Sequence, residues 1–224
     1  MFLRNYKKTA LKWKNTDVSY ADLLKKITYY ATLFSNTNKR VLIFSENRPE
    51  WIYSFYGSWK NNCTVIPIDY LSTVEEVTYI VQDSSPEVFF CSREREPILR
   101  KVAKHLDYSP HILVYEDIEN IDTTPDKGQV EQNLDEPDLN DTALIIYTSG
   151  TTGDPKGVML SYENILANIE AVTLGVPIFS IDERVMLLLP LHHIFPLLGS
   201  LVAPLYVGST IAFSPSMVRD PLEG

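Results

Sequence analysis

A chain of 224 residues, 45% hydrophobic and 22% charged, has enough apolar material for one large domain or two small ones. Its net charge of −9 repels a nucleic-acid backbone, so nucleic-acid binding is not expected. Any polyanion must instead be held by local features: backbone N–H groups, a lysine, a metal.

Residues 10–20 read as a hairpin turning at Asn15-Thr16-Asp17. Ser19, with Asp22 three residues on, predicts a helix start, and Leu23, Leu24, Ile27, Tyr30, Ala31 and Phe34 form its apolar stripe. Arg40 to Ser45 reads as a buried strand. Asn47, Pro49 and Glu50 then open a helix whose buried face is Trp51, Ile52, Phe55, Tyr56 and Trp59. Thr64 to Ile68, Glu87 to Cys91 and His111 to Tyr115 read as further strands. Between them lie a capping box of Thr73 and Glu76 ahead of Val77, Ile80 and Val81, and a helix over residues 94–106. Strands that are apolar throughout and alternate with helices indicate an α/β fold, a largely parallel buried sheet flanked by helices. Cys63 and Cys91 sit in these apolar stretches and read as reduced core thiols, with a mutual disulfide the alternative. Four histidines, only two of them adjacent, make no metal cluster.

Residues 116–141 break the rhythm. They are acidic, carry Pro125, Gly128 and Pro137, and read as a surface connection with one short strand. The chain thus divides into a first α/β half (1–115), this connection (116–141) and a remainder (142–224). Thr142 to Tyr147 is a strand leading into a glycine-rich segment, and Val158 to Leu160 the strand leaving it. Ser161 then caps a helix with Ile165, Leu166, Ile169 and Val172 facing inward. Val185 to Phe213 carries no Asp, Glu, Lys or Arg, yet Pro190, Pro196, Pro204, Gly199, Gly208 and the His192-His193 pair interrupt it. It reads as strand, helix and strand in a core, not a membrane span. The N-terminal residues lack the apolar core of a signal peptide, so a cytoplasmic location is expected.

The segment Tyr147-Thr148-Ser149-Gly150-Thr151-Thr152-Gly153-Asp154-Pro155-Lys156-Gly157 combines what a phosphate-holding loop requires. Glycines let backbone N–H groups converge, hydroxyls add short hydrogen bonds, and a lysine supplies a point charge. It is not the ATPase-type P-loop, because Pro155 precedes the lysine and Gly157 follows it. By composition alone an ordinary polar turn remains the alternative.

The order of these residues resembles the signature of the adenylate-forming (AMP-binding) superfamily, which includes acyl-CoA synthetases, luciferases and the adenylation domains of peptide synthetases. Val18 to Leu23, Trp59 to Asp69 and Leu189 to Phe195 resemble further blocks of that family in the same order, with Asn61-Asn62 in place of the usual Ala-Gly. The resemblance covers nearly the whole chain. It implies that a carboxylate attacks the α-phosphorus of Mg-ATP to give an acyl-adenylate, and that a thiol then takes the acyl group. It implies ATP, Mg²⁺ and coenzyme A as cofactors or cosubstrates. Thr148, Ser149, Gly150, Thr151, Thr152, Gly153 and Lys156 would hold the leaving pyrophosphate, with Thr151 or Thr152 touching the metal. His193 matches the family's histidine beside the carboxylate; a core histidine is the structural alternative. His192 is left as a supporting neighbour, and Tyr162, where the family often has His, as a packing residue.

The leucine-rich stretch after His193 looks most like long-chain fatty acyl-CoA synthetases, so a fatty acid is the expected acid and CoA or a carrier-protein thiol the acceptor. A plain apolar core would give the same leucines. Peripheral membrane contact is left open. The family's Tyr-Gly-x-Thr-Glu block, ribose-binding aspartate, hinge and distal lysine do not occur in the sequence. The expectation is therefore an N-terminal piece of a longer enzyme, inactive alone and self-associating through residues 185–213. A non-catalytic nucleotide- or acyl-binding module is the alternative of a different class.

Overall fold

Thr9–Trp13 (β1) and Thr16–Ser19 (β2) form the expected hairpin, but its turn is Lys14-Asn15, with Thr16 and Asp17 already in the second strand. Lys14 takes a left-handed conformation, φ 51°, which lets two residues close the loop. The computed structural model describes residues 2–35, 37, 39–118, 137–148 and 155–214. Ser19 caps α1 (Tyr20–Thr32) by accepting from the Asp22 N–H. β3 (Arg40–Phe44), α2 (Pro49–Lys60), β4 (Thr64–Ile68), α3 (Val74–Ser84), β5 (Val88–Cys91), α4 (Glu96–Ala103) and β6 (His111–Val114) then alternate as expected. Thr73 and Glu76 close the capping box of α3 reciprocally. The short strand anticipated in the connection lies largely outside the described residues.

β7 (Thr142–Thr148) pairs in parallel with β4, and β8 (Lys156–Ser161) returns antiparallel along β7, longer than the three residues anticipated. The resulting six-stranded sheet has the order β6-β5-β3-β4-β7-β8. α5 (Tyr162–Glu170) follows, capped by Ser161 and continuing into a π-helical turn, Ala171–Gly175. β9 (Arg184–Leu187), α6 (Ile194–Pro196), a π-helical turn Leu197–Val202, α7 (Ala203–Val207) and β10 (Thr210–Phe213) realise the anticipated strand, helix and strand. They do not extend the main sheet. β10 lies parallel to β1 and β9, giving a second, four-stranded sheet, β2-β1-β10-β9.

Two cores follow from the alternation of side chains along the strands. Val41, Ile43, Val65, Val88, Phe90 and Ile146 face a large core shared with α1, α2, α5 and the second sheet. Leu42, Phe44, Ile66, Ile68, Phe89 and Cys91 face a smaller one under α3 and α4. α2 lies in the large core, so it is buried from Trp51 to Trp59 on every side rather than along one stripe. Cys63 and Cys91 are not bridged to each other and are buried in different cores, and burial pushes both thiols up to about 12. Asn61 donates from its side chain to Ala31 O at 2.8 Å, and Asn62 takes φ 55°. Asparagine tolerates that left-handed geometry better than most residues, which accounts for its standing where the family has glycine. Tyr162 is fully buried against Phe2 and Trp59 and donates to Cys63 O. Among the described residues no helix is long and apolar enough to cross a membrane.

Two glycines are required by close approach. Gly208 ends α7 at φ 91°, where a Cβ would lie 2.9 Å from the Tyr6 ring. Gly157 pairs across the hairpin with Tyr147, and a Cβ there would meet Ile145 Cγ2 at 2.8 Å and Tyr147 Cζ at 3.1 Å. The Tyr147 hydroxyl is meanwhile held by Asp83 of α3. Gly157→Ala is therefore expected to destabilise the chain by about 1–3 kcal/mol in urea unfolding. Gly199→Ala, with nothing within 4 Å of its added Cβ, is expected to be neutral or mildly stabilising; equal effects of the two would refute the packing account. The apolar face is narrower than 185–213: Met186, Leu188, Leu189 and Phe195 are exposed, while Leu191, Leu197, Leu201 and Ile211 are buried. Light scattering on the isolated chain is expected to show association at concentrations on the order of tens of micromolar, relieved by Phe195→Ser with Leu188→Ser. A monodisperse monomer would contradict this.

Candidate active site at the strand ends

A parallel sheet with both faces buried offers polar groups only its ends, and ligands in such folds lie beyond the carboxyl ends of the strands. Strand order reverses between β3 and β5, the point where a crevice is ordinarily sought. Here charged side chains fill that place. Arg48, after β3, bonds Glu50 at 2.8 Å and Glu116 at 2.5 Å and lies 5.3 Å over the Tyr115 ring. Arg93, after β5, pairs with Glu96 and Asp117. The Glu116 carboxyl is held below the usual range by Arg48 and by the Arg93 N–H, against the opposing effect of burial.

The rim beyond β3, β4 and β7 is arranged differently. β4 and β7 pair at Val65 and Leu144, and Asp69, directly after β4, and Thr148, the last residue of β7, stand at the carboxyl ends of these neighbouring strands. Onto this rim docks the segment leaving β9. Asn47, in the β3–α2 connection, donates from Nδ2 to Leu189 O at 2.8 Å and accepts at Oδ1 from the Leu191 N–H at 2.9 Å. His192 Nε2 lies 3.7 Å from Asp69 Oδ2, too far for a hydrogen bond, and has no hydrogen-bond partner among the described residues. Burial pushes the His192 imidazole down to about 4, against the pull of Asp69, so it is neutral at pH 7. The His192 and His193 rings are 4.1 Å apart, but His193 is exposed.

Thr148 and Lys156 are both exposed and stand opposite each other as a cross-strand pair. The hairpin thereby brings together the hydroxyl and the ammonium that flank the glycine-rich segment. Ser149, Gly150, Thr151, Thr152 and Gly153 lie outside the described residues, as do the metal contacts assigned to Thr151 and Thr152. Among the described residues no group of three His, Cys, Asp or Glu side chains could hold a metal ion.

Three rim residues escaped the sequence reading. Asn47 reads as a helix opener beside Pro49. In the structure Arg48 occupies the N-cap position without a side-chain cap, and the Asn47 carboxamide turns away to residue 189. Asp69 and Asp83 carry no motif of their own; they matter because β4 ends beside His192 and α3 ends beside Tyr147. Only the position of Asp69 inside a recognised block offered a signal.

The AMP-binding enzyme family matches residues 3–223. Long chain acyl-CoA synthetase 8 of Arabidopsis thaliana is 27% identical over 92% of this chain and 31% of its own length. The mitochondrial malonate–CoA ligase ACSF3 of Homo sapiens is 29% identical over 81% of this chain and 32% of its own. The chain thus spans about a third of the length of these relatives. Among solved structures, ATP-bound MatB from Rhodopseudomonas palustris superposes with a TM-score of 0.79 at 21% identity, covering 93% of this chain and 42% of that one. That similarity carries the fold. With the match running almost end to end, the chain belongs to the AMP-binding enzyme family, as part of the adenylate-forming fold.

Proposed function

We propose that this chain supplies the pyrophosphate-side and acid-side parts of an ATP-dependent acid–CoA ligase, and that its acid is a long-chain fatty acid. The carboxylate oxygen attacks the α-phosphorus, the bond to the bridging β-phosphate oxygen breaks, and pyrophosphate leaves. The CoA sulfur, having lost its proton, then attacks the acyl carbon and AMP departs. Negative charge gathers on the leaving pyrophosphate, so donors aimed there lower the barrier. Thr148, Ser149, Gly150, Thr151, Thr152, Gly153 and Lys156 are assigned that task, and His193 is placed beside the carboxylate.

The observation that carries this reading is the pairing of Thr148 with Lys156 across the β7–β8 hairpin, at the carboxyl end of β7. An apolar acid is favoured by the absence of Asp, Glu, Lys and Arg from residues 185–213. A second carboxylate, as in malonate, needs a cation to meet it. The malonate–CoA ligase among the relatives makes a short dicarboxylic acid the second reading.

Calorimetric titration of the chain with magnesium pyrophosphate and Mg-ATP is the direct test. Both are expected to bind, and Lys156→Ala to weaken both by roughly 10–100-fold, the loss of one charge-assisted contact. Absence of binding by the unmutated chain would sink the proposal. Dodecanoate is expected to perturb the His193 imidazole resonance and malonate to leave it in place; the reverse favours the dicarboxylate. The chain by itself is expected to release no pyrophosphate from Mg-ATP and dodecanoate, and acid-dependent release would overturn that expectation.

A further inference from the structure

We infer that Asn47 is a positioning residue, whose carboxamide fixes the backbone on both sides of Pro190 and so presents His192 and His193 at the sheet rim. Its side chain is buried. It makes two hydrogen bonds of opposite polarity, from Nδ2 to Leu189 O and to Oδ1 from the Leu191 N–H. Pro190, between them, has no N–H to offer. A carboxamide donates and accepts from one planar group; a carboxylate could only accept, and an aliphatic side chain could do neither.

The clamp is well founded at its base. Asn47 follows β3, and its neighbour Arg48 is tied to Glu46, Glu50 and Glu116. The segment it holds has less support of its own. Beyond Leu187 the strand pairing ends, Leu188 and Leu189 are half exposed, and helix resumes only at Ile194. A local turn, His193 N–H to Pro190 O at 3.3 Å, shapes the segment but does not attach it to the sheet. Asn47 attaches it by hydrogen bonds beside the buried Leu191, so the direction in which both imidazoles leave the backbone is tied to a side chain 142 residues earlier. The clamp stands on geometry alone; its consequence for acid binding rests on the reading proposed above.

The histidines provide the test. His105 and His111 lie outside the docked segment and serve as internal references to His192 and His193 in a ¹³C–¹H spectrum of the whole chain. In Asn47→Ala, His192 and His193 are expected to shift and broaden, His105 and His111 to stay, and the Leu191 N–H to exchange about tenfold faster. Should Asn47→Ala fail to fold, Asn47→Asp decides: it keeps the acceptor, loses the donor, and is expected to shift His192 and His193 while Leu191 stays protected. Unmoved His192 and His193 in a folded variant overturn the clamp. Titration with dodecanoate adds the functional arm, with affinity expected to fall about fivefold or more in Asn47→Ala. Equal affinity in both proteins overturns the positioning role. If dodecanoate leaves His193 of the unmutated chain unmoved, the fatty-acid reading fails, while the shifts in Asn47→Ala still support the clamp.

Discussion

Burial of the main sheet on both faces is the constraint from which the rest follows. Leu42 and Phe44 point into one core and Val41 and Ile43 into the other, so neither face has room for a charged ligand. An unpaired charge placed there would cost several kcal/mol. Polar chemistry is confined to the strand ends, where the connections begin. Asn47, Asp69 and Thr148 stand beyond or at the ends of β3, β4 and β7, where their side chains meet a partner or solvent. The site is therefore a consequence of how the strands stop, and its residues are scattered along the chain because neighbouring strands are.

Within that rim the two halves of the crevice have opposite fates. Between β3 and β5, Arg48 and Arg93 are held by Glu116, Glu96 and Asp117, a network that fixes the connections but occupies the place a ligand would take. Between β3, β4 and β7 the space is bordered instead by the docked segment from the second sheet. One side of the chain is thus stapled by ion pairs, while the other is closed by a loop that the Asn47 carboxamide and the buried Leu191 hold. The histidine that is buried, His192, is kept neutral by desolvation, so it adds no cation beside Asp69. Its exposed neighbour His193 is left as the imidazole that a ligand can reach.

Much of this was legible residue by residue. Ser19 with Asp22 and Thr73 with Glu76 are local signals: the cap and the group it caps lie within one turn, so no distant contact can overrule them. The glycine-rich segment was legible because its chemistry is written in consecutive residues. What escaped depends on distance along the chain. Leu11 pairs with Ile211, and no periodicity near either announces that a second sheet takes β10 away from the first. Asn47 stands two residues before a helix-opening proline and resembles a helix opener, yet its side chain is used by residues 189 and 191. His192 and His193 sit in a stretch that is neither helix nor strand, so spacing could not tell which one is buried. Burial of α2 has in part the same origin, since the core around it includes residues distant in the chain, such as Tyr162 against Trp59.

The acidic surface sharpens what the phosphate segment must do. A chain at −9 repels a triphosphate over a distance set by ionic strength, and Arg48 and Arg93 at the rim are already matched with carboxylates. Freeing Arg48 would leave the half-buried Glu50 without its ion pair, so it cannot be lent to a ligand without loss elsewhere. Attraction must then come from short-range groups: backbone N–H donors, which carry no net charge and no counter-ion, and the exposed ammonium of Lys156 at the root of the hairpin. The tight fit of Tyr147 over Gly157 becomes intelligible in that light. A short-range site of the kind proposed above needs closely placed donors, and the hairpin locks one strand against the other at Tyr147 and Gly157, beside the residues that flank the segment.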